Sequence, residues 1–280
     1  MVNEFYFRCK SDSMISKNKQ KLIAGLARKK NREKEGLFLV EGDKMINELF
    51  ASSIIIKTLI ATPEFLSGHT LSASIEVIEA SKDEIRKVSL LHNAQQAIAI
   101  CVIPQQEFYW EKGKNDLILA LDTIQDPGNL GTIIRLADWF GIKEVVCSPG
   151  TVDIYNPKTI QATMGAIFRV NVTYQHLPPF LEEANSYGLP VYGAFLEGEE
   201  IYKLNLSSKG IIVMGNEGQG ISQEVANKIS QKIFIPSYPK GTPTSESLNV
   251  SMAASIICSE FRRRQFQKSF KNAFPTGIDI

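Results

Sequence analysis

The sequence is short of the residues that build metal and redox sites. Four cysteines stand at positions 9, 101, 147 and 258 without any CxxC spacing, and three histidines at 69, 92 and 176 lie apart from them. That pattern argues against zinc and against a disulfide framework, and a reducing cytoplasm is the simplest home for it. Long hydrophobic runs are missing as well. No segment approaches the ~18 apolar residues of a membrane span. The first residues carry Glu4 and Arg8 before an apolar secretory core can form, so no signal peptide is expected. There is no internal repeat and no low-complexity tract.

What remains is the balance of a soluble protein with a sizeable core: 280 residues, 44% of them apolar, with 31 Lys and Arg against 30 Asp and Glu. The length suggests one large domain or, in better accord with domain sizes, two of unequal size. The net charge of +1 conceals a local excess. Residues 17–34 carry eight basic side chains against one acid, Glu33, for a local charge of +7. Residues 1–16 sum to zero, so the rest of the chain totals −6. A concentrated basic segment attracts phosphate backbones through counterion release, independently of base sequence. Lys17, Lys19, Lys21, Arg28, Lys29, Lys30 and Arg32 are the candidate contacts to such a backbone. The alternative is a solvated helix face.

Residues 17–31 place Leu22, Ile23 and Leu26 on one side of a basic amphipathic helix. Strands follow at 36–41, 54–61 and 96–103, with helical stretches between them, so residues 1–105 read as a small α/β domain. Residues 106–116 are polar and turn-forming, with aromatics but no period, and read as a linker. From 117 to 280 the strands are continuous apolar runs at 117–121, 144–147, 169–172, 190–195, 210–214 and 232–235. Runs of that kind fit a parallel sheet covered on both faces by helices.

Three segments lie just beyond such strands, where open α/β sheets bind ligands. The first, 122–141, is a strand end, a Pro-Gly turn and a helix, with Asn129 at the expected cap and Arg135 among apolar neighbours that would partly bury its stem. The second is a strand running into Gly215-Asn-Glu-Gly218 and Gly220 before a helix. Its spacing is not GxGxxG, and no Lys-Ser/Thr follows, so a nicotinamide cofactor or nucleoside triphosphate is poorly supported. Glu217 there has the simpler reading of complementing a helix dipole. The third runs from Ile235-Pro236 through a Pro-rich loop to Ser247-Leu-Asn-Val-Ser251 and a final helix. Ser247 reads as a cap, Met252, Ile256 and Phe261 as a core-facing stripe, and Arg262–Arg264 as a basic helix end.

In this order the segments resemble the three signature motifs of the SpoU (TrmH) branch of the SPOUT RNA methyltransferases. Asn129 to Arg135 resembles the first motif, Gly215 to Gly218 the second, and Ser247 to Ser251 with Ile235 and Pro236 the third. The run at 32–42 is similar to the substrate-binding domain, of ribosomal-protein fold, that precedes the catalytic domain in many members. The resemblance implies an α/β domain with a mostly parallel sheet and a deep trefoil knot, an exception to the rule that chains are unknotted. It implies S-adenosylmethionine as cofactor, held at Gly215, Ile235, Leu248 and Ala194. It also implies methyl transfer to a ribose 2′-hydroxyl of RNA, ribosomal RNA ahead of transfer RNA, by a homodimer that needs no metal.

Arg135, Asn129, Glu217, Ser247 and Asn249 are the implied catalytic set. The family assigns Arg135 to activating the hydroxyl. A guanidinium has a pKa above ~12 and no acceptor, so binding a phosphate or stabilising a developing alkoxide stands beside that role. The loop between Pro236 and Ser247 is longer than usual in the family and is expected to alter RNA contacts or lid shape while leaving cofactor binding intact. A noncatalytic RNA-binding or ribosome-assembly protein is the alternative from another class, and the intact motif residues argue against it. A small-molecule or dinucleotide enzyme is disfavoured by the missing phosphate fingerprints.

Overall fold

The computed structural model describes residues 15–239 and 245–273, with side chains as far as 265. Cys9, the amino-terminal segment to residue 14 and part of the loop after Pro236 lie outside the described residues. The chain divides into two compact units, Met1–Pro104 and Gln105–Ile280.

In the first unit, α1 (Lys17–Gly25) and α2 (Lys29–Glu35) precede β1 (Leu37–Glu41) and α3 (Asp43–Phe50). Then come β2 (Ile56–Ala61), α4 (Pro63–Ser67), β3 (Glu76–Glu79), α5 (Lys82–Val88) and β4 (Ala97–Val102). The sheet order is β1-β4-β2-β3, with β4 antiparallel to both neighbours and β2 parallel to β3. Ile23 and Leu26 from α1 and its end join Leu39, Ile60, Ile85 and Ile98 in one core. Each such fully buried side chain contributes about 1.5–3 kcal/mol.

The single helix expected over 17–31 is two. Arg28 takes extended backbone angles, while Asn31 donates to Gly25 O and Arg32 to Leu26 O. Two side chains thus reach back to satisfy the carbonyls that the end of α1 leaves open. Gly36 then closes α2 in the left-handed conformation.

The second unit contains α6 (Trp110–Gly113), β5 (Leu117–Leu121), α7 (Pro127–Trp139), β6 (Glu144–Cys147), α8 (Pro157–Thr163) and β7 (Asn171–Tyr174). It continues with α9 (Leu177–Ser186), β8 (Val191–Glu200), β9 (Gly210–Met214), α10 (Gln223–Ala226), β10 (Gln231–Phe234) and α11 (Val250–Ala273). Every strand pair is parallel, in the order β10-β8-β9-β5-β6-β7. Strands β5 and β9 are buried at every position, as continuous apolar runs require. The order lays β9 beside β5, with Leu121 opposite Met214. The loops that leave these two strands therefore emerge side by side at the carboxyl edge of the sheet.

Residues 106–116 do not behave as the expected linker. Trp110 stacks on Phe180 with ring centroids 4.8 Å apart, and Phe108 meets Phe180 edge-on at 5.0 Å. The aromatics that showed no period are anchors, and they seal the second unit's core. The stripe expected on α11 is rotated in part: Phe261 is buried as expected and Met252 is not. Met252 is 61% exposed, whereas Ala254, Ile257, Cys258 and Phe261 are buried. Arg262 explains part of that rotation: it donates to the carbonyls of Phe140 and Gly141 and pairs with Asp116 at 3.0 Å, tying α11 to the end of α7. Arg263 and Arg264 both pair with the buried Glu260. The Arg262–Arg264 run is thus engaged in specific pairs and does more than complement a helix dipole. Gly131 lets α7 approach α8, since a Cβ there would lie 2.5 Å from the Ala162 Cβ.

Candidate functional site

The site begins with two helix caps. Asp126, not Asn129, caps α7: its Oδ1 accepts from Asn129 N at 2.7 Å, and Pro127 follows in the first turn. That leaves the Asn129 side chain free to make other bonds. At the start of α11 the cap is Asn249, whose Oδ1 accepts from Ser251 N at 3.0 Å, Ser251 Oγ at 2.6 Å and Met252 N at 3.3 Å. Ser247, the expected cap, is exposed and makes no hydrogen bond among the described residues.

These caps set the direction of the hydrogen bonds between the motifs. With its oxygen committed to α11, Asn249 turns its Nδ2 outward and donates to Asn129 Oδ1 at 2.9 Å. Asn129 must then present its own Nδ2, which donates to Glu217 Oε1 at 3.0 Å. One directed chain of hydrogen bonds thus joins residues from three segments far apart in the sequence. It ends on a carboxylate, the only acceptor-only group in the series.

Glu217 sits at the tip of a tight loop and not at a helix start. Asn216 and Gly220 exchange both main-chain hydrogen bonds at 2.9 Å, and Asn216 Oδ1 accepts from Gly218 N and Gln219 N, each at 2.9 Å. Gly215 has to be glycine, because a Cβ would fall 2.3 Å from the Gly220–Ile221 peptide. The end of β5 holds both ends of this loop. Asn216 Nδ2 donates to Thr123 O at 2.8 Å, and Ser222 N donates to the buried Asp122 Oδ2 at 2.8 Å.

Arg135 stands apart from the chain. It is exposed, and so is Trp139 on the next turn of α7. Arg135 makes no ion pair among the described residues.

Three of the four candidate cofactor residues share the carboxyl edge of the sheet. Gly215 is the first residue after β9 and Ile235 the first after β10, while Ala194 follows the last residue of β8 paired with β9. Leu248, 52% exposed, lies just before α11. Between Lys232 and Ile233 the β8–β10 register jumps from Gly193 to Glu199, so residues 194–198 leave the ladder. Main chain released from a ladder at the carboxyl edge fits a ligand gripped by backbone groups, and the residues present fit S-adenosylmethionine in that respect.

Burial pushes the thiols of Cys101 and Cys147 well up and that of Cys258 up to about 12, which leaves no thiolate among the described residues to act as a nucleophile. Among the described residues there is no group of three or more His, Cys, Asp and Glu placed to hold a metal. No helix among them is long and apolar enough to cross a membrane.

The basic segment of the first unit divides in two. Lys17, Lys21, Arg28, Lys29 and Lys30 are exposed. Lys19 is only 18% exposed and is bound to Glu76 at 2.7 Å and Thr58 Oγ1 at 3.1 Å. Arg32 is 2% exposed and holds Leu26 O at 2.7 Å. These two, expected as RNA contacts, are structural instead, because the surface beside them supplies an acid and an open carbonyl.

Sequence reasoning passed over Asp122, Thr123, Asp126 and Asn216. Asp126 carried a signal, an acid directly before Pro127. Thr123 carried none, since it adopts φ +62°, a region that β-branched residues avoid.

Residues 116–259 match the SpoU rRNA Methylase family, and residues 17–99 match the MRM3-like substrate binding domain. The chain is 32% identical over 235 residues to the 23S rRNA (guanosine(2553)-2′-O)-methyltransferase RlmP of Bacillus subtilis, covering 84% of this chain and 92% of that one. A solved chain from Porphyromonas gingivalis, assigned to the TrmH family of RNA methyltransferases, superposes with a TM-score of 0.82 at 37% identity, covering 90% of this chain and 99% of that one. The AdoMet-bound rRNA methyltransferase of Sinorhizobium meliloti gives 0.76 at 28% identity, covering 87% and 94%. Fold and site together define the class, a SPOUT-type α/β methyltransferase. Within that class the chain belongs to the SpoU rRNA methylase family.

Proposed function

We propose that this protein transfers the methyl group of S-adenosylmethionine to a ribose 2′-hydroxyl of ribosomal RNA. The observation that carries the reading is the directed chain from Asn249 through Asn129 to Glu217, which makes one cluster of three distant motifs. The rRNA relatives support the substrate class.

When bound, S-adenosylmethionine would supply a methyl on a sulfonium: the 2′-oxygen bonds to the methyl carbon as the carbon–sulfur bond breaks, S-adenosylhomocysteine leaves, and the hydroxyl proton goes to an acceptor in the site. Gly215 and Ile235 after β9 and β10, Ala194 where β8 leaves β9, and Leu248 before α11 would hold the cofactor through main-chain groups. Asn129, Asn249 and Ser247 place the ribose. Glu217 spends Oε1 on Asn129 and keeps Oε2 for the hydroxyl. Arg135, a fixed cation with no lone pair to give, faces the RNA phosphate and the developing alkoxide. The exposed Arg28, Lys29 and Lys30 grip RNA backbone, residues 1–105 forming the substrate-binding domain and 117–280 the methyltransferase domain. Exposed Trp139 on α7 and Met252 on α11 support a homodimer, and the similarity to a bacterial rRNA methyltransferase supports a cytoplasmic location.

The test is transfer of labelled methyl from S-adenosylmethionine to purified ribosomal RNA, transfer RNA and ribosomal subunits by the wild type and by Arg135→Ala and Glu217→Gln. Label in ribosomal RNA that falls about a hundredfold or more in both variants is expected. Label confined to transfer RNA, or unchanged by either substitution, contradicts the reading.

A further inference from the structure

We propose that Asn216 is a positioning residue whose side-chain amide, pinned to the carbonyl of Thr123, holds the Glu217 carboxylate against Asn129. The proposal rests on reading the cluster as a methyl-transfer site.

Three observations converge on it. Asn216 uses its whole amide: Oδ1 folds the loop by accepting from Gly218 N and Gln219 N, and Nδ2 leaves the loop for Thr123 O at 2.8 Å. The carbonyl it reaches points there because Thr123 has left-handed backbone at φ +62°, which costs a β-branched residue strain. The surroundings hold that conformation: Thr123 N donates to Ser148 Oγ at 2.8 Å and Thr123 Oγ1 to Asp122 Oδ1 at 3.1 Å. Strain that persists beside a reactive cluster is a mark of positioning. Finally, Glu217 is the next residue after the pin and lies exposed at the loop tip, so its place opposite Asn129 depends on where the loop is fixed.

The device separates into two parts that can be removed one at a time. Asn216→Asp keeps the acceptor that folds the turn and loses the donor that pins it. Thr123→Gly keeps the carbonyl and accepts positive φ without strain. In Asn216→Asp, kcat for RNA methylation should fall about a hundredfold while KM for S-adenosylmethionine stays within about twofold. The Asn129 side-chain amide resonances, assigned with Asn129→Asp, should shift away from their carboxylate-bonded position. Thr123→Gly, which keeps the carbonyl that Asn216 holds, should leave the Asn129 amide resonances at their wild-type position.

Wild-type kcat and unmoved Asn129 resonances in Asn216→Asp would overturn the proposal. So would a loss of kcat matched by an equal rise in KM and a lowered thermal midpoint, which would mark a merely structural residue. If the wild type methylates no RNA, the methyl-transfer reading fails by itself. The Asn129 resonances then still decide whether Asn216 holds the Glu217–Asn129 contact.

Discussion

Lys19 and Lys30 belong to the same basic stretch, yet the structure gives them opposite work. Lys19 lies across the sheet of the first unit on Glu76 and Thr58, and it draws the Glu76 carboxyl below its usual range by donating to it. Lys30 projects into solvent. Replacing Arg28, Lys29 and Lys30 by Ala together should weaken RNA binding across unrelated sequences. It should also flatten the salt dependence of log K by about 0.7–0.9 for each phosphate no longer neutralised, read from binding isotherms at several salt concentrations. Arg32→Ala should leave that slope unchanged and instead cost about 2 kcal/mol of stability, since it orphans a buried carbonyl. An unchanged slope in the triple variant would return the exposed lysines to a solvated face. The sequence made the charge excess legible, but not its division, because Glu76 lies far along the chain and Leu26 O is open only where α1 ends.

At the scale of elements, the legible features were those with a local cause. The strands of the second unit were readable because burial on both faces leaves uninterrupted apolar runs, such as Leu117–Leu121 and Gly210–Met214. The break between α1 and α2 was not, because it depends on Asn31 and Arg32 folding back on the preceding turn. The buried face of α11 was misjudged in part for a similar reason: Arg262, bonded to Phe140 O and Asp116, fixes the rotation of the helix.

Glu260 is the titratable part of that arrangement. Hydrogen bonds from Arg263, then Arg264, hold its carboxyl below the usual carboxylate range. A lowered folded value means that the stabilisation is present above the unfolded value and is lost as pH falls through the folded one. Acid unfolding should therefore steepen below the ordinary carboxylate range in the wild type and less so in Glu260→Gln, measured by thermal melts from neutral to acid pH. Equal pH dependence in the two proteins would show that the pairs with Glu260 contribute nothing to folding.

Across the whole molecule, the strand order does what no single segment can. By laying β9 beside β5 it brings the loop 215–222 to the turn after β5, and the caps of α7 and α11 complete the cluster. The three motifs were legible as types of residue in order along the sequence. Their joining into one hydrogen-bonded chain was not, since Asn249 and Asn129 meet only through the fold. The pin through Thr123 was invisible for a sharper reason, being a conformation that its residue type disfavours.

Whether this chain methylates ribose in ribosomal RNA is decided by mapping 2′-O-methyl groups across the ribosomal RNA of a strain lacking the gene, complemented with the wild type or with Asn129→Ala. The expected map has a 2′-O-methyl site that is absent without the gene, returns with the wild type and stays absent with Asn129→Ala. A map unchanged by loss of the gene, or restored equally by Asn129→Ala, would contradict ribose methylation by the Asn249–Asn129–Glu217 cluster.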